Sequence, residues 1–118
     1  MEKPHKKLDV WKLSMGMVSE VYQATEKFPS REIYGLTDQI RRAAVSVPSN
    51  IAEGAARQTK KEYINYLHIA QGLLSELDTQ LDIAVSLGYL DREKRNGIDE
   101  VLVRIDKMLY ALIRSLRG

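Results

Sequence analysis

The chain has 118 residues, of which 18 are basic and 16 acidic, giving a net charge of +2; apolar residues make up 44% and charged residues 29%. That length suits one domain spanning 1–118 that buries roughly 65% of the surface exposed on unfolding. So balanced a charge argues for nucleic acid only if the cations cluster, and the absence of cysteine excludes disulfides and thiolate metal sites and fits a reducing cytoplasm.

In chain order, Met1 to Lys7 is basic, but Asp9, Lys12, Ser14 and Glu20 interrupt any apolar run. Neither a signal peptide nor a membrane partner is expected. The first predicted helix covers Leu8 to Phe28, with Leu8, Trp11, Met15, Val18, Tyr22 and Thr25 on one stripe; Pro29-Ser30 stops it. The second is predicted from Ile33 to Glu53 and ends near Gly54, which tolerates a left-handed closing conformation. Thr59-Lys60-Lys61-Glu62 is a capping box opening the third. Its stripe runs Tyr63, Leu67, Ala70, Leu74, Leu77, Leu81, Ala84 and ends at Gly88. The fourth starts at Asp91 as N-cap and runs to Leu116, with Ile98, Val101, Leu102, Ile105, Leu109, Leu112 and Leu116 inward. Short connections between long helices predict an all-α, antiparallel up-down-up-down four-helix bundle.

The second helix is apolar over well over half its circumference. Leu36, Ile40, Ala43, Val47 and Ile51 share one face, and Ala44, Val45, Pro48, Ala52 and Ala55 extend it sideways. Two readings stand beside each other: a well-buried helix inside its own bundle, or a helix whose small-residue side, Ala44, Val45, Pro48, Ala52 and Ala55, meets another subunit. Pro48 removes a donor and frees the Ala44 carbonyl, so a kink or local unwinding is expected. Arg42, Ser46, Asn50 and Glu53 recur at helical spacing and form either a hydrogen-bond ladder or a ligand-binding stripe.

Catalytic and metal chemistry find little support. His5 and His68 are the only histidines, neither with a glutamate three residues before it, so a di-metal bundle site, a structural zinc site and any resident cofactor are not expected. Gly54-Ala-Ala-Arg57 lacks the spacing and lysine of a phosphate loop. Arg104 to Arg114 looks like the first helix of all-helical chorismate mutases but lies at the wrong end of the chain without a full partner set. Val47 to Leu67 scans superficially as a helix-turn-helix, yet it joins helices too long for that motif. Two groups of cations remain, Arg57, Lys60 and Lys61 at the second connection and Arg92, Lys94 and Arg95 after the third, with Arg41 and Arg42 near mid-helix. They are either solvated helix ends or, repeated around an oligomer, a phosphate-binding rim.

A longer pattern runs through Lys7 to Trp11, Tyr22, Phe28-Pro29, Glu32, Tyr34 to Leu36, Gln39 to Pro48, Asn50 to Gly54 and Leu87 to Leu90. On it the chain resembles the four-helix-bundle proteins encoded in intervening sequences of bacterial large-subunit ribosomal RNA genes, also labelled ribosomal protein S23-like. It is also similar, more weakly, to the accessory proteins of diversity-generating retroelements. The resemblance implies a bundle assembled as a homopentameric ring, and partners that are itself, RNA or single-stranded nucleic acid, or a protein such as a reverse transcriptase. The function expected is non-enzymatic binding of nucleic acid through Arg41, Arg42, Arg57, Lys60 and Lys61; the alternative is a scaffold that recruits an enzyme without touching nucleic acid.

Overall fold

The computed structural model describes residues 3–118, so Met1 and Glu2, which open the basic stretch weighed as a signal peptide, lie outside the described residues. Four helices carry the chain: α1 (Asp9–Thr25), α2 (Leu36–Ala55), α3 (Lys60–Ser86) and α4 (Arg92–Arg117). Short 3₁₀ turns at Pro4–Lys7 and Ser30–Glu32 precede α1 and α2, and no strand occurs among the described residues. Each helix packs on two others, α1 on α2 and α4, and α3 on α2 and α4. The diagonals α1–α3 and α2–α4 make no close backbone approach, so the cross-section is four-cornered. At 1.5 Å per residue a 27-residue helix spans about 40 Å, which accounts for the 44 Å long axis over a 23 × 21 Å section.

The core is the set of side chains that the helical period turns inward: Met17 and Val21 from α1, Ile40, Val47 and Ile51 from α2, Leu67, Leu77 and Leu81 from α3, Ile105 and Leu109 from α4. The predicted stripes of α3 and α4 are the observed ones in all but their flanks: Tyr63, Val101, Leu112 and Leu116 are only partly covered. For α1 the phase differs. Its buried stripe is Val10, Ser14, Met17, Val21 and Thr25, and the predicted residues Trp11, Met15, Val18 and Tyr22 lie at the edge facing α2, partly open to solvent. Ser14 and Thr25 can take inward positions because each hydroxyl donates to a carbonyl one turn back, Trp11 O at 2.8 Å and Val21 O at 2.9 Å.

Helix ends follow local chemistry. Asp91 caps α4, accepting from the Lys94 amide at 2.7 Å. Thr59 caps α3 by accepting from the Glu62 amide at 3.2 Å, while its hydroxyl donates to the Glu62 carboxylate at 2.9 Å. Gly88, at φ 80°, closes α3 in a Schellman turn: Tyr89 N–H donates to Ala84 O and Gly88 N–H to Val85 O. Gly54 does not close α2 as expected; it sits inside the helix with an ordinary backbone. Its value is the missing side chain, because a Cβ there would stand 2.8 Å from Tyr66 Cβ and 3.2 Å from the Tyr63 ring. Glycine thus sets how closely α2 and α3 cross.

α2 begins at Leu36, not Ile33, because the chain first makes the Ser30–Glu32 turn and the Glu32 carboxylate reaches forward to accept from the Leu36 amide at 3.1 Å. It then runs unbroken through Pro48 to Ala55, without the expected unwinding.

Candidate assembly surface and nucleic-acid interface

The α2 residues expected to meet a second subunit divide by their angle around the helix. Ala44 has no exposed surface at all and is consumed by the chain's own core, so it is withdrawn from that set. Pro48 is buried as well, whereas Ala52 and Ala55 are half-buried and Val45 is 41% exposed. Facing them, α1 presents Met15 at 45% and Tyr22 at 42% exposure. Between the two helices lies an apolar groove of about 420 Å³ lined by Trp11, Met15, Val18, Val45, Pro48 and Ala52, with the edge of the His5 ring against Trp11 at one end. The misplaced phase of α1 and the sideways extension of α2 are therefore one feature: a continuous apolar seam beside the core.

Further along the same seam is a hollow of about 460 Å³ bordered by Tyr22, Ile33, Thr37, Asp38, Arg41 and Arg42. Arg41 is fixed there, its Nε donating to Thr25 Oγ1 at 2.9 Å and its guanidinium lying 4.5 Å from the Tyr22 ring centre. Arg42 projects outward and forms no ion pair among the described residues. The stripe Arg42, Ser46, Asn50 and Glu53 is no side-chain ladder: Asn50 donates to the Ser46 carbonyl at 2.8 Å, and Glu53 faces Arg57 at 3.9 Å. Beside it Ser49 donates to Val45 O at 2.9 Å.

At the α2–α3 connection Arg57 stacks on Tyr66, 4.9 Å from its centre, and donates to its hydroxyl at 2.7 Å. Lys60 and Lys61 are exposed and unpaired among the described residues. The turn Pro4–Lys7 packs against α2, with His5 near Ser49 and Ala52, which brings exposed Lys6 and Lys7 to the same end. Sequence spacing could not group them, since some fifty residues intervene. Arg41 and Arg42 do not join this group; the thirteen residues from Arg42 to the end of α2 at Ala55 set it about 20 Å away along the helix.

Of the second predicted cation group, Arg92 and Lys94 are exposed, but Arg95 is not available. Arg95 is only 4% exposed and held by the carboxylates of Asp78 and Asp82, the latter at 2.9 Å, with Asp99 at 3.7 Å. Burial alone pushes the guanidinium down, but hydrogen bonds and charge from Asp78 and Asp82 outweigh it and hold Arg95 above its ordinary value. It ties α3 to α4 and offers nothing to a phosphate. At that end Tyr89 joins three elements: its hydroxyl donates to Glu32 at 3.0 Å, its ring sits 5.6 Å from Phe28, and Arg31 lies beside it. The Leu36 amide, the Tyr89 hydroxyl and nearby Arg31 hold the Glu32 carboxyl below its ordinary value.

His68 is exposed, bonded to Gln71 at 3.1 Å and to Arg117 at 3.3 Å. No group of side chains able to hold a metal occurs among the described residues, and no helix of theirs is long and apolar enough to cross a membrane.

These features define an all-helical, four-helix protein with one apolar seam left open. The chain belongs to the 23S rRNA-intervening sequence protein family, whose model matches residues 6–111. Its fold is similar to that of a protein of unknown function from the S23 ribosomal protein family of Bacteroides thetaiotaomicron, with TM-score 0.81 and 24% identity over 89% of this chain and 95% of that one. No curated protein matches it.

Proposed function

We propose that the chain is a non-enzymatic assembly module: one domain whose helices run up-down-up-down, whose copies join in a ring, and whose ring binds RNA or single-stranded nucleic acid. The observation that carries the reading is the open apolar seam between α1 and α2, with Met15, Tyr22 and Val45 each more than two-fifths exposed beside Trp11 and Ala52. Contiguous apolar surface of that kind marks an interaction site, and a second copy is the partner always at hand. The antiparallel course is supported by the four-residue connection between α2 and α3 and by Glu32 meeting Tyr89 at one end. Five copies is the number that the family resemblance implies, and a cytoplasmic setting fits the cysteine-free composition.

Nucleic-acid binding is supported by exposed Lys6, Lys7, Lys60 and Lys61 around the Arg57–Tyr66 stack at one end of the subunit. Repeated around a ring, such ends sum their charge toward phosphates, and a tyrosine beside an arginine suits an unpaired base. The test is retention of structured and single-stranded RNA in gel shifts from low to moderate salt. Binding should fall steeply as salt rises, and Lys60→Glu with Lys61→Glu should lower the salt slope by about 0.7 for each phosphate no longer neutralised. No retention even at low salt would instead favour the scaffold that recruits an enzyme.

A further inference from the structure

We infer that the α1–α2 seam of one copy is covered by the α3–α4 seam of the next, a head-to-tail pairing that rests on the self-assembly proposed above and names its two surfaces. The four-cornered packing puts these seams on opposite sides of the subunit. Their chemistries are complementary rather than alike. The α1–α2 side is apolar, with Met15 and Val45 exposed, and at one end it offers Arg42, with Arg41 and the single carboxylate of Asp38 beside it.

The α3–α4 side supplies acceptors. Asp99, Val103, Asp106 and Tyr110 recur at steps of four, three and four, so they form one ridge along α4. Val103 is 44% and Tyr110 61% exposed. Asp78, Asp99 and Asp106 border the shallow hollow beside that ridge together with Lys107, and Lys107 and buried Arg95 offset only part of the negative charge. A ridge of two apolar side chains about 10.5 Å apart on a helix fits a groove between two helices, and an aspartate at its flank can accept from Arg42. Pairing the α1–α2 seam with itself would bring together two ends that each carry Arg41 and Arg42 against one carboxylate, Asp38. Unlike surfaces on opposite sides make the interface heterologous, so each copy keeps a free seam until the rotation closes a ring.

The test blocks each seam separately at exposed positions, with Val45→Lys in the groove and Val103→Lys on the ridge. Each variant alone should have the mass of one subunit by light scattering, with wild-type helicity by circular dichroism. An equimolar mixture should rise to two subunits and stop there, because one intact groove meets one intact ridge. Arg42→Asp should weaken assembly at least tenfold, and adding Asp106→Arg should restore it. If the wild type assembles and Val103→Lys assembles equally well, the pairing is wrong while self-assembly stands. If the wild type is itself a single subunit, both readings fall. Should either lysine variant lose helicity, Met15→Lys and Tyr110→Lys carry the same test.

Discussion

Gly54 is where one missing side chain decides a helix crossing. The Tyr66 Cβ that would stand 2.8 Å from an added methyl belongs to the stem of its residue and cannot swing aside as a side-chain tip could. Gly54→Ala should therefore push α2 from α3 and destabilise the fold by about 1–3 kcal/mol, as overpacking does, even though alanine is the better helix former. A denaturation midpoint equal to wild type would contradict it. Glu32 makes a second residue-scale claim, this one about pH. Its folded-state pKa lies below the ordinary 4.5, first through the Leu36 amide and then through the Tyr89 hydroxyl. The stabilisation is present above that ordinary value and is lost as pH falls through the depressed one. Glu32→Gln should accordingly flatten the fall in thermal midpoint below that ordinary value of 4.5, and identical slopes for variant and wild type would refute the role.

At the scale of elements, the seam of α3 with α4 depends on Arg95. Replacing it with Met keeps the apolar stem but removes its hydrogen bonds and leaves Asp78, Asp82 and Asp99 facing one another without a cation. The carboxylates are about half exposed, so the loss should be moderate, about 1–3 kcal/mol. Added salt should recover part of it by screening their repulsion; a variant whose stability ignores salt would count against this account. The N-cap of α4 is simpler, and Asp91→Ala should cost about 1 kcal/mol, read from the urea midpoint.

These elements also show what a sequence makes legible. The stripes of α3 and α4 and the caps at Thr59 and Asp91 could be read because their partners lie within one or two turns. The phase of α1 could not, since it carries two apolar stripes and only its neighbours decide which turns inward. Arg95 read as a surface cation because Asp78 and Asp82 precede it by 17 and 13 residues on another helix. Glu32 and Tyr89 are 57 residues apart, so their meeting is a property of the packed helices. Of the expected assembly surface, Val45, Ala52 and Ala55 keep exposed area while Ala44 does not; helical spacing could not separate them because they lie on adjacent flanks of one broad apolar arc.

For the whole molecule, the question is what the open seam meets. Its apolar residues are too contiguous to be scattered surface hydrophobics, and they run along the length of the α1–α2 edge from Trp11 to Tyr22. The basic end gains from assembly too, since a single subunit offers few cations and a ring multiplies them. Light scattering on the wild-type chain at micromolar concentration tests this most directly. The account expects a particle of at least three copies of the 13.5 kDa subunit; a particle of one subunit would contradict it.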